Sequence, residues 1–383
     1  MTTTVVKRPR IRLGMVGGGQ DAFIGAVHRM AARLDDEYEL VAGALSSTPE
    51  RALASGQAIR LPSDRIYTNY EEMARQENAR TDGIDVVAIV TPNHMHFKVA
   101  ETFLNAGFHV ICDKPMTLTL IEAQRLHEMV QRSSRVFVLT HNYSGYPMIR
   151  KAREMVTNGE IGDIRVVQAE YPQGWLSARE ENKQAEWRTD PARAGAGGSI
   201  GDIGTHAYHL AQFVTGLKTE ELMADLTSFV PGRQLDDNAH ILLRYKGGAR
   251  GMLWSSQVAI GKENALRLRV FGSKGGLEWS QEEPNTLWVH EMDASTRKIT
   301  RGSPEAGEAA HRVTRIPAGH PEGYLEGFAT IYREAAELIH NANGNGDSDQ
   351  TAKAPGTVDG VAGLQFIDAC VRSNLQGSSW VRL

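Results

Sequence analysis

The feature that most constrains the fold is an alternation of short apolar runs with helix-like segments over the first 140 residues. The apolar runs predict five strands, at 11–16, 39–45, 86–90, 109–112 and 136–139. The segments between them predict helices at 26–34, 48–55, 96–106 and 118–131. Strands that are apolar throughout and separated by helices are typical of a parallel sheet covered on both faces. We therefore predict an α/β domain over residues 1–140.

The pattern changes after residue 140, where strand candidates follow one another with few helices between them. They lie at 164–171, 222–229, 240–245, 251–258, 266–272 and 276–278. Helices are predicted at 148–158, 322–339 and 358–373, with a polar surface loop at 341–356. Runs of strands predict a second α/β domain, 141–383, with a large, mostly antiparallel sheet. Two domains also fit a chain of 383 residues, at about 150 residues per domain.

Composition excludes several classes of protein. The chain has 42 Lys and Arg against 46 Asp and Glu, and this balance argues against a nucleic-acid partner. Two cysteines, Cys112 and Cys370, cannot build a disulfide scaffold or a cysteine-based zinc site. The sequence shows no secretory signal and no apolar stretch of about 18 residues, so we expect a cytoplasmic protein without a membrane partner.

A glycine-rich turn, Gly17-Gly18-Gly19, follows the first predicted strand. Glycine permits a tight turn there and lets a pyrophosphate approach the backbone, next to the N-terminus of the following helix. The next glycine, Gly25, comes three residues later than the G-x-G-x-x-G pattern requires. An ordinary turn between a strand and a helix can also be rich in glycine. The position of this turn in the first βα unit nevertheless favours a dinucleotide-binding site. We predict that this site contains Gly17, Gly19, Gln20 and Gly25.

The second predicted strand ends without the carboxylate that usually binds the ribose of NAD. Ser46 and Ser47 stand there instead, with Arg51 downstream. Hydroxyl groups and a guanidinium suit the 2′-phosphate of NADP, so we predict that NADP is used at least as well as NAD. Alternatively, Ser47 or Thr48 only caps the next helix.

Polar residues also follow the third and fourth predicted strands, where ligands of such sheets bind. The third strand leads into Thr91-Pro92-Asn93-His94-Met95-His96, which fits a helix-capping loop better than a metal site. The fourth leads into Asp113-Lys114-Pro115, and the Lys114 ammonium can polarise a hydroxyl or stabilise an alkoxide.

A glycine-rich segment further along the chain contains Asp202, His206 and His209. On a helix that begins near residue 200 these three residues share one face. They could form a general acid/base pair, bind zinc, or serve as a helix cap followed by two surface histidines. Their spacing alone does not decide between these possibilities.

Taken together, these motifs resemble the glucose–fructose oxidoreductase, inositol dehydrogenase and rhizopine catabolism (Gfo/Idh/MocA) family. The resemblance runs from residue 11 to residue 383. The matching motifs are VGGG with Gly25-x-x-His28, Thr91-Pro92-Asn93-x-x-His96, Asp113-Lys114-Pro115, Gly197-Gly198-x-x-x-Asp202-x-x-x-His206, Gly159-Glu160-Ile161-Gly162, Trp187-Arg188 and Phe271-Gly272-Ser273-Lys274-Gly275-Gly276.

This resemblance implies an N-terminal Rossmann domain and a C-terminal α/β domain with an open sheet, through which such chains pair as homodimers or homotetramers. It implies oxidation or reduction of a hydroxyl on a sugar, cyclitol or related polyol with NAD or NADP. The implied catalytic residues are Lys114, Asp202 and His206, with Thr91, Pro92, Asn93, His96 and Asp113 at the cofactor. The chain departs from the family pattern at three positions: it has Asp113 where Glu is commoner, and Ser144 where many relatives have Arg. It also has His209 where inositol dehydrogenases have Asp, and this last difference argues against inositol as the substrate.

We therefore expect His206 to take the proton of a secondary hydroxyl, Lys114 to bind its oxygen and Asp202 to orient the substrate. No metal is required. The candidate pocket residues are Tyr171, Trp175, Trp187, Arg188, His209 and Tyr324. Three alternative functions remain open at this point: a glycosidase that uses a transient redox cycle, a non-catalytic cofactor sensor, and a zinc hydrolase.

Overall fold

The protein is described here from a computed structural model, which covers residues 8–20, 22–180, 182–344 and 352–383. The strands are β1 Ile11–Gly17, β2 Tyr38–Ala44, β3 Val86–Val90, β4 His109–Cys112, β5 Phe137–Leu139, β6 Ile164–Pro172, β7 Thr219–Thr227, β8 Asn238–Tyr245, β9 Arg250–Ser256, β10 Arg267–Gly272, β11 Gly275–Ser280, β12 Thr286–Glu291, β13 Arg297–Thr300 and β14 Val381–Arg382. The helices are α1 Phe23–Leu34, α2 Pro49–Ala58, α3 Tyr70–Ala79, α4 Asn93–Asn105, α5 Leu120–Arg132, α6 Pro147–Thr157, α7 Lys183–Arg188, α8 Pro191–Ala194, α9 Thr205–Thr215, α10 Gly307–His311, α11 Tyr324–Ala342 and α12 Thr357–Leu375.

The first sheet is parallel throughout, in the order β2-β1-β3-β4-β5. All five residues of β3 are buried, because helices cover both faces of the sheet. The predicted α/β class and parallel sheet are thus confirmed. The strand order reverses between β1 and β3, and in open parallel sheets ligands bind outside the carboxyl ends of the strands at such a reversal.

The second sheet has nine strands in the order β13-β12-β11-β10-β6-β9-β8-β7-β14. Its neighbouring strands are antiparallel except β6 and β9, which confirms the predicted mostly antiparallel sheet. Helices pack on one face, where Leu253 of β9 is buried. On the other face Leu242 and Met252 are each 44% exposed. That face is therefore open, as the resemblance implies.

Helix α11 returns from the C-terminal part of the chain and packs on α1. Tyr332 of α11 makes a 2.8 Å hydrogen bond with Nδ1 of His28 and accepts a 2.7 Å bond at its backbone oxygen from the Tyr38 hydroxyl. The first sheet ends at Leu139, but the two parts of the chain share packing, so the division at residue 140 stays a prediction. The loop predicted at 341–356 begins inside α11, and its residues 345–351 lie outside the described part of the chain.

None of the described helices is both long enough and apolar enough to cross a membrane.

Candidate active site

A cleft of about 1300 Å³ lies at the carboxyl ends of the parallel strands and extends to the second sheet. It brings together most of the residues predicted from the sequence. The predicted residues that line it are Gly17, Gly19, Gln20, Ser46, Ser47, Arg51, Thr91, Pro92, Asn93, Asp113, Lys114, Tyr171, Trp175, Trp187, Arg188, Asp202, His206 and Tyr324. Gly25, His96 and His209 do not line it.

The glycine turn forms the floor of the cleft between β1 and α1. Gly17 and Gly18 have φ values of +82° and +71°, which glycine adopts without strain. A side chain at Gly19 would come within 2.6 Å of the Leu45 backbone oxygen. Open backbone at the N-terminus of α1 suits a pyrophosphate, so the turn fits a dinucleotide despite its longer spacing.

Gly25 supports this turn from behind. A Cβ at Gly25 would overlap the backbone of Gly18, so the glycine lets α1 pack directly against the turn. Gly25 does not itself line the cleft, and its contact with the cofactor stays a prediction. Its part is close helix packing, which is the usual part of the third glycine in such motifs.

His96 is also a supporting residue. Its buried ring lies 2.7 Å by Nδ1 from the Pro115 backbone oxygen and 2.8 Å by Nε2 from the Thr91 backbone oxygen. These two contacts join the loops that follow β3 and β4. His96 thus positions Thr91 and Lys114 rather than contacting the cleft. Among the described residues, no group of three His, Cys, Asp or Glu could hold a metal ion.

Lys114 and Asp202 meet at the centre of the cleft. Lys114 Nζ lies 3.2 Å from Asp202 Oδ1 and also donates to the backbone oxygen of Asp202. Arg188 Nε and Gln257 Nε2 donate to Asp202 Oδ2 over 3.2 Å and 3.0 Å. Burial opposes ionisation of Asp202, but Arg188 and Lys114 outweigh it and lower its pKa to about 2. Asp202 is therefore a carboxylate at neutral pH.

A π-helical turn, Ile200–Gly204, carries Asp202 and leads into α9, which carries His206. Buried Asp236 fixes the start of this turn. Its carboxylate accepts hydrogen bonds from Gly198 N at 2.6 Å, Ser199 Oγ at 2.7 Å and Ile200 N at 2.9 Å. A Cβ at Gly198 would overlap the backbone oxygen of Asp236, so the motif requires glycine there. Short π-helical segments often occur at functional sites.

His206 lines the cleft and is 7% exposed. Its Nδ1 is buried and has no hydrogen-bond partner within the described residues, which leaves Nε2 to face the cleft. Burial lowers the pKa of His206 well below its usual value, and the Lys114 cation lowers it further, whereas Asp202 raises it. The neutral imidazole therefore prevails near pH 7 and can accept a proton.

His209 lies behind His206 and away from the cleft. Its ring stacks on buried His141 with the centroids 4.2 Å apart, and its Nε2 is 3.5 Å from Asp359 Oδ1. The structure places His209 outside the lining of the cleft, on the helix α12 side of the site, and its contact with substrate stays a prediction.

Polar and aromatic side chains surround the reactive groups. Tyr143 and Tyr171 share a hydrogen bond between their hydroxyls, and Tyr171 donates to Asn264 Oδ1 over 2.6 Å. Trp187 lies under the Arg188 guanidinium, 4.3 Å from its carbon to the ring centroid. Five residues of the site could not be predicted from the sequence, namely Tyr143, Asn264, Gln173, Gln257 and Asp236. Tyr143 comes shortly after β5 and Asn264 lies in the loop before β10, and neither belongs to a motif that the sequence shows.

The comparisons with known proteins agree with this geometry. Residues 11–141 match a family described as an oxidoreductase family with an NAD-binding Rossmann fold. Residues 149–278 match the GFO/IDH/MocA C-terminal domain. The chain belongs to the GFO/IDH/MocA oxidoreductase family. The region that matches the Rossmann fold contains the glycine turn and Lys114, and the region that matches the C-terminal domain contains Asp202 and His206.

Three relatives of this GFO/IDH/MocA chain are similar over nearly all of its length. The oxidoreductase YfiI of Bacillus subtilis is 36% identical, with 98% of each chain covered. The crystal structure of an oxidoreductase from Sinorhizobium meliloti is 54% identical, covers 98% of this chain and 100% of its own, and has a TM-score of 0.89. An inositol dehydrogenase homolog from Azotobacter vinelandii, solved with NADH and myo-inositol, is 36% identical, with 98% of each chain covered and a TM-score of 0.92.

Proposed function

We propose that this chain oxidises a secondary hydroxyl of a sugar, cyclitol or related polyol with a nicotinamide cofactor. The observation that carries the proposal is the convergence of Lys114, Asp202 and His206 in a cleft that also contains the glycine turn. A cation, a fixed carboxylate and a neutral imidazole are the groups that alcohol oxidation needs beside a nicotinamide.

Each of these groups has a separate part. The substrate hydroxyl lies between Lys114 and His206, and Nε2 of His206 takes its proton. Lys114 donates a hydrogen bond to the substrate oxygen and stabilises the negative charge that develops there. Asp202 orients both Lys114 and the substrate, and Arg188 and Gln257 hold it in place. The nicotinamide, when bound, accepts the hydride from the same carbon.

The walls of the cleft support a polyhydroxylated substrate. The Tyr143, Tyr171 and Asn264 cluster offers hydrogen-bonding groups, and Trp175 and Trp187 offer ring faces that suit the C–H face of a sugar ring. The relative solved with NADH and myo-inositol supports a cyclitol, and the position of His209 away from the cleft does not oppose one.

The experiment is a panel of sugars, anhydrosugars and inositols with NAD and with NADP, monitored by nicotinamide absorbance. We expect steady reduction of the cofactor by at least one of these alcohols, and its loss in Lys114→Ala. Release of a glycoside without net change in absorbance would instead favour the redox-assisted glycosidase. Tight cofactor binding without turnover on any substrate would favour the sensor.

We also propose that the open face of the second sheet pairs two copies of the chain. Leu242 and Met252 lie on this face with Val166, Phe271 and Trp288, which are 37–38% exposed. Exposed apolar side chains that share one face mark an interaction surface. Analytical ultracentrifugation of the parent chain and of Leu242→Lys tests this, with a dimer or tetramer expected only for the parent.

A further inference from the structure

A row of three buried histidines and one carboxylate runs from the cleft to the protein surface. The ring centroid of His141 is 5.4 Å from that of His206 and 4.2 Å from that of His209. His209 Nε2 is 3.5 Å from Asp359 Oδ1, and the Asp359 side chain is 39% exposed. The row therefore has one end in the cleft and the other at solvent.

The histidine nitrogens along this row are available to carry a proton. His206 Nδ1, His141 Nδ1 and His209 Nε2 are buried and have no hydrogen-bond partner in the described part of the chain. Buried polar atoms without a protein partner are usually satisfied by ordered water. The rings of His141 and His209 stack within 9° of parallel, and their in-plane nitrogens therefore cannot form a hydrogen bond with each other. A bridging water would connect these two rings as well.

The chemistry of the cleft requires an outlet for a proton. In the proposed oxidation His206 receives a proton while cofactor and substrate fill the cleft. Burial and the Lys114 cation both disfavour a charged His206, so the proton does not stay there. Asp202 is not an acceptor, because Arg188 and Lys114 hold it as a carboxylate with a pKa of about 2.

We propose that His141, His209 and Asp359 conduct this proton from His206 to solvent, a role that rests on the proposed function. The O–H bond of the substrate breaks, its electron pair stays on oxygen, and the proton binds Nε2 of His206. The Nδ1–H bond of His206 breaks in turn, and that proton passes through water and the two histidines to the Asp359 carboxylate. After the product has left, both nitrogens of His206 exchange with water and the starting tautomer returns.

The surroundings of Asp359 keep it ionised at the solvent end of the row, so it can take up a proton briefly and pass it to water. Burial opposes its ionisation, but the close contact with His209 outweighs burial and leaves the pKa of Asp359 below its usual value. Arg153 is the charged neighbour on α6, and it also favours the carboxylate form. At the cleft end of the row, Lys114, Asp202 and the Tyr143 ring face His206. Asp359 Oδ2 also accepts a 2.8 Å hydrogen bond from Gly356 N at the start of α12.

The test is Asp359→Asn, because an amide oxygen still accepts the Gly356 hydrogen bond but does not take up a proton. Single turnovers with the alcohol found in the panel are followed by stopped flow in weak buffer. Nicotinamide absorbance reports hydride transfer, and a pH indicator reports proton release. In the parent, the two signals are expected to rise together. In the variant, proton release should lag hydride transfer about 10-fold or more, and added imidazole should abolish the lag.

Two further variants make the result specific. Asp368→Asn alters another carboxylate of α12, one paired with Arg372 through a 2.7 Å contact, and should leave both signals unchanged. His209→Gln should reproduce the lag and its rescue, and decides the matter if Asp359→Asn does not fold. Proton release in step with hydride transfer in both Asp359→Asn and His209→Gln overturns the proton path alone. A parent that reduces no cofactor with any alcohol overturns the proposed function instead.

Discussion

Lys114 Nζ and Asp202 Oδ1 lie 3.2 Å apart although 88 positions separate the two residues in the chain. Lys114 follows β4 of the parallel sheet, and Asp202 lies in the turn before α9. Their side chains are 14% and 17% exposed, so a substrate can reach them while most water is kept away. The pair therefore joins the end of the parallel sheet to the helix that carries His206, the proposed general base.

The first prediction concerns the two groups that act on the substrate hydroxyl. We expect His206→Ala and Lys114→Ala each to lower kcat by about 10²–10⁴-fold, since each removes a positioned proton acceptor or donor. Cofactor binding, measured by fluorescence titration, should be largely retained. If both variants turned over near the parent rate, the assignment of these residues would be wrong.

The second prediction concerns the pH dependence of oxidation. The base is the neutral form of His206, so the initial rate rises with pH as this group loses its proton. The sequence alone places this rise in the ordinary histidine range. Burial is the main cause that lowers the pKa of His206 well below 6.5, and the Lys114 charge is the second. The increase in rate should therefore occur at acidic pH, and the rate should be constant above about pH 6.5. A rise centred above pH 7 would contradict this.

A third prediction concerns the cofactor. Ser46, Ser47 and Arg51 line the cleft, and none of the described residues that line it between 44 and 55 is a carboxylate that would repel a 2′-phosphate. Charge-assisted bonds are worth roughly 1.5–3 kcal/mol, or about 10- to 150-fold in affinity. We expect kcat/KM with NADP to be at least equal to that with NAD, and Ser46→Asp to shift the ratio toward NAD. A parent that strongly prefers NAD, or an unchanged ratio in the variant, would refute this.

The fourth prediction is independence of metal. Lys114 and His206 supply a donor and an acceptor for the hydroxyl, and the proposed chemistry needs no further Lewis acid. Activity should therefore survive prolonged treatment with a chelator. Loss of activity that added zinc restores would contradict this and establish a metal site, and metal analysis of the purified protein would give its stoichiometry.

The fifth prediction concerns the glycine before the catalytic turn. In Gly198→Ala, the new methyl group would overlap the backbone oxygen of Asp236, so the turn must shift. We expect a lower melting temperature and a loss of kcat larger than the loss of cofactor affinity. Gly363→Ala is a matched control for stability, because that glycine lies within helix α12, has no positive φ and has open space for a methyl group. Equal effects of the two substitutions on kcat would show that Asp236 does not fix the turn.

The parallel sheet could be predicted because its strands are buried on both faces and so form unbroken apolar runs. Strands β12 and β13 were missed, although the alternation of buried and exposed residues in β12 is itself a signal of a half-buried strand. Helix α3 was also missed, although Asn69 caps it by accepting a 3.0 Å bond from Glu72 N, a signal that the sequence carries.

The centre of the site could be predicted because Lys114, Asp202 and His206 belong to motifs. Those motifs do not distinguish residues that face the cleft from those that support it. Gly25 and His96 therefore stood among the predicted contacts, although one packs against Gly18 and the other joins two loops. Gln257 could not be found from spacing, because only the packing of β9 against the π-helical turn brings it to Asp202.

The packing of α11 on α1 has a consequence for how the chain is made. Phe328, Ile331 and Tyr332 of α11 are buried in the same cluster as Leu13 of β1 and Val27 of α1. During synthesis the first sheet therefore leaves the ribosome without part of the cover for one of its faces, the part that α11 supplies. That cover arrives only when residues near 340 have emerged, so the cofactor-binding half completes its core late, although it is translated first.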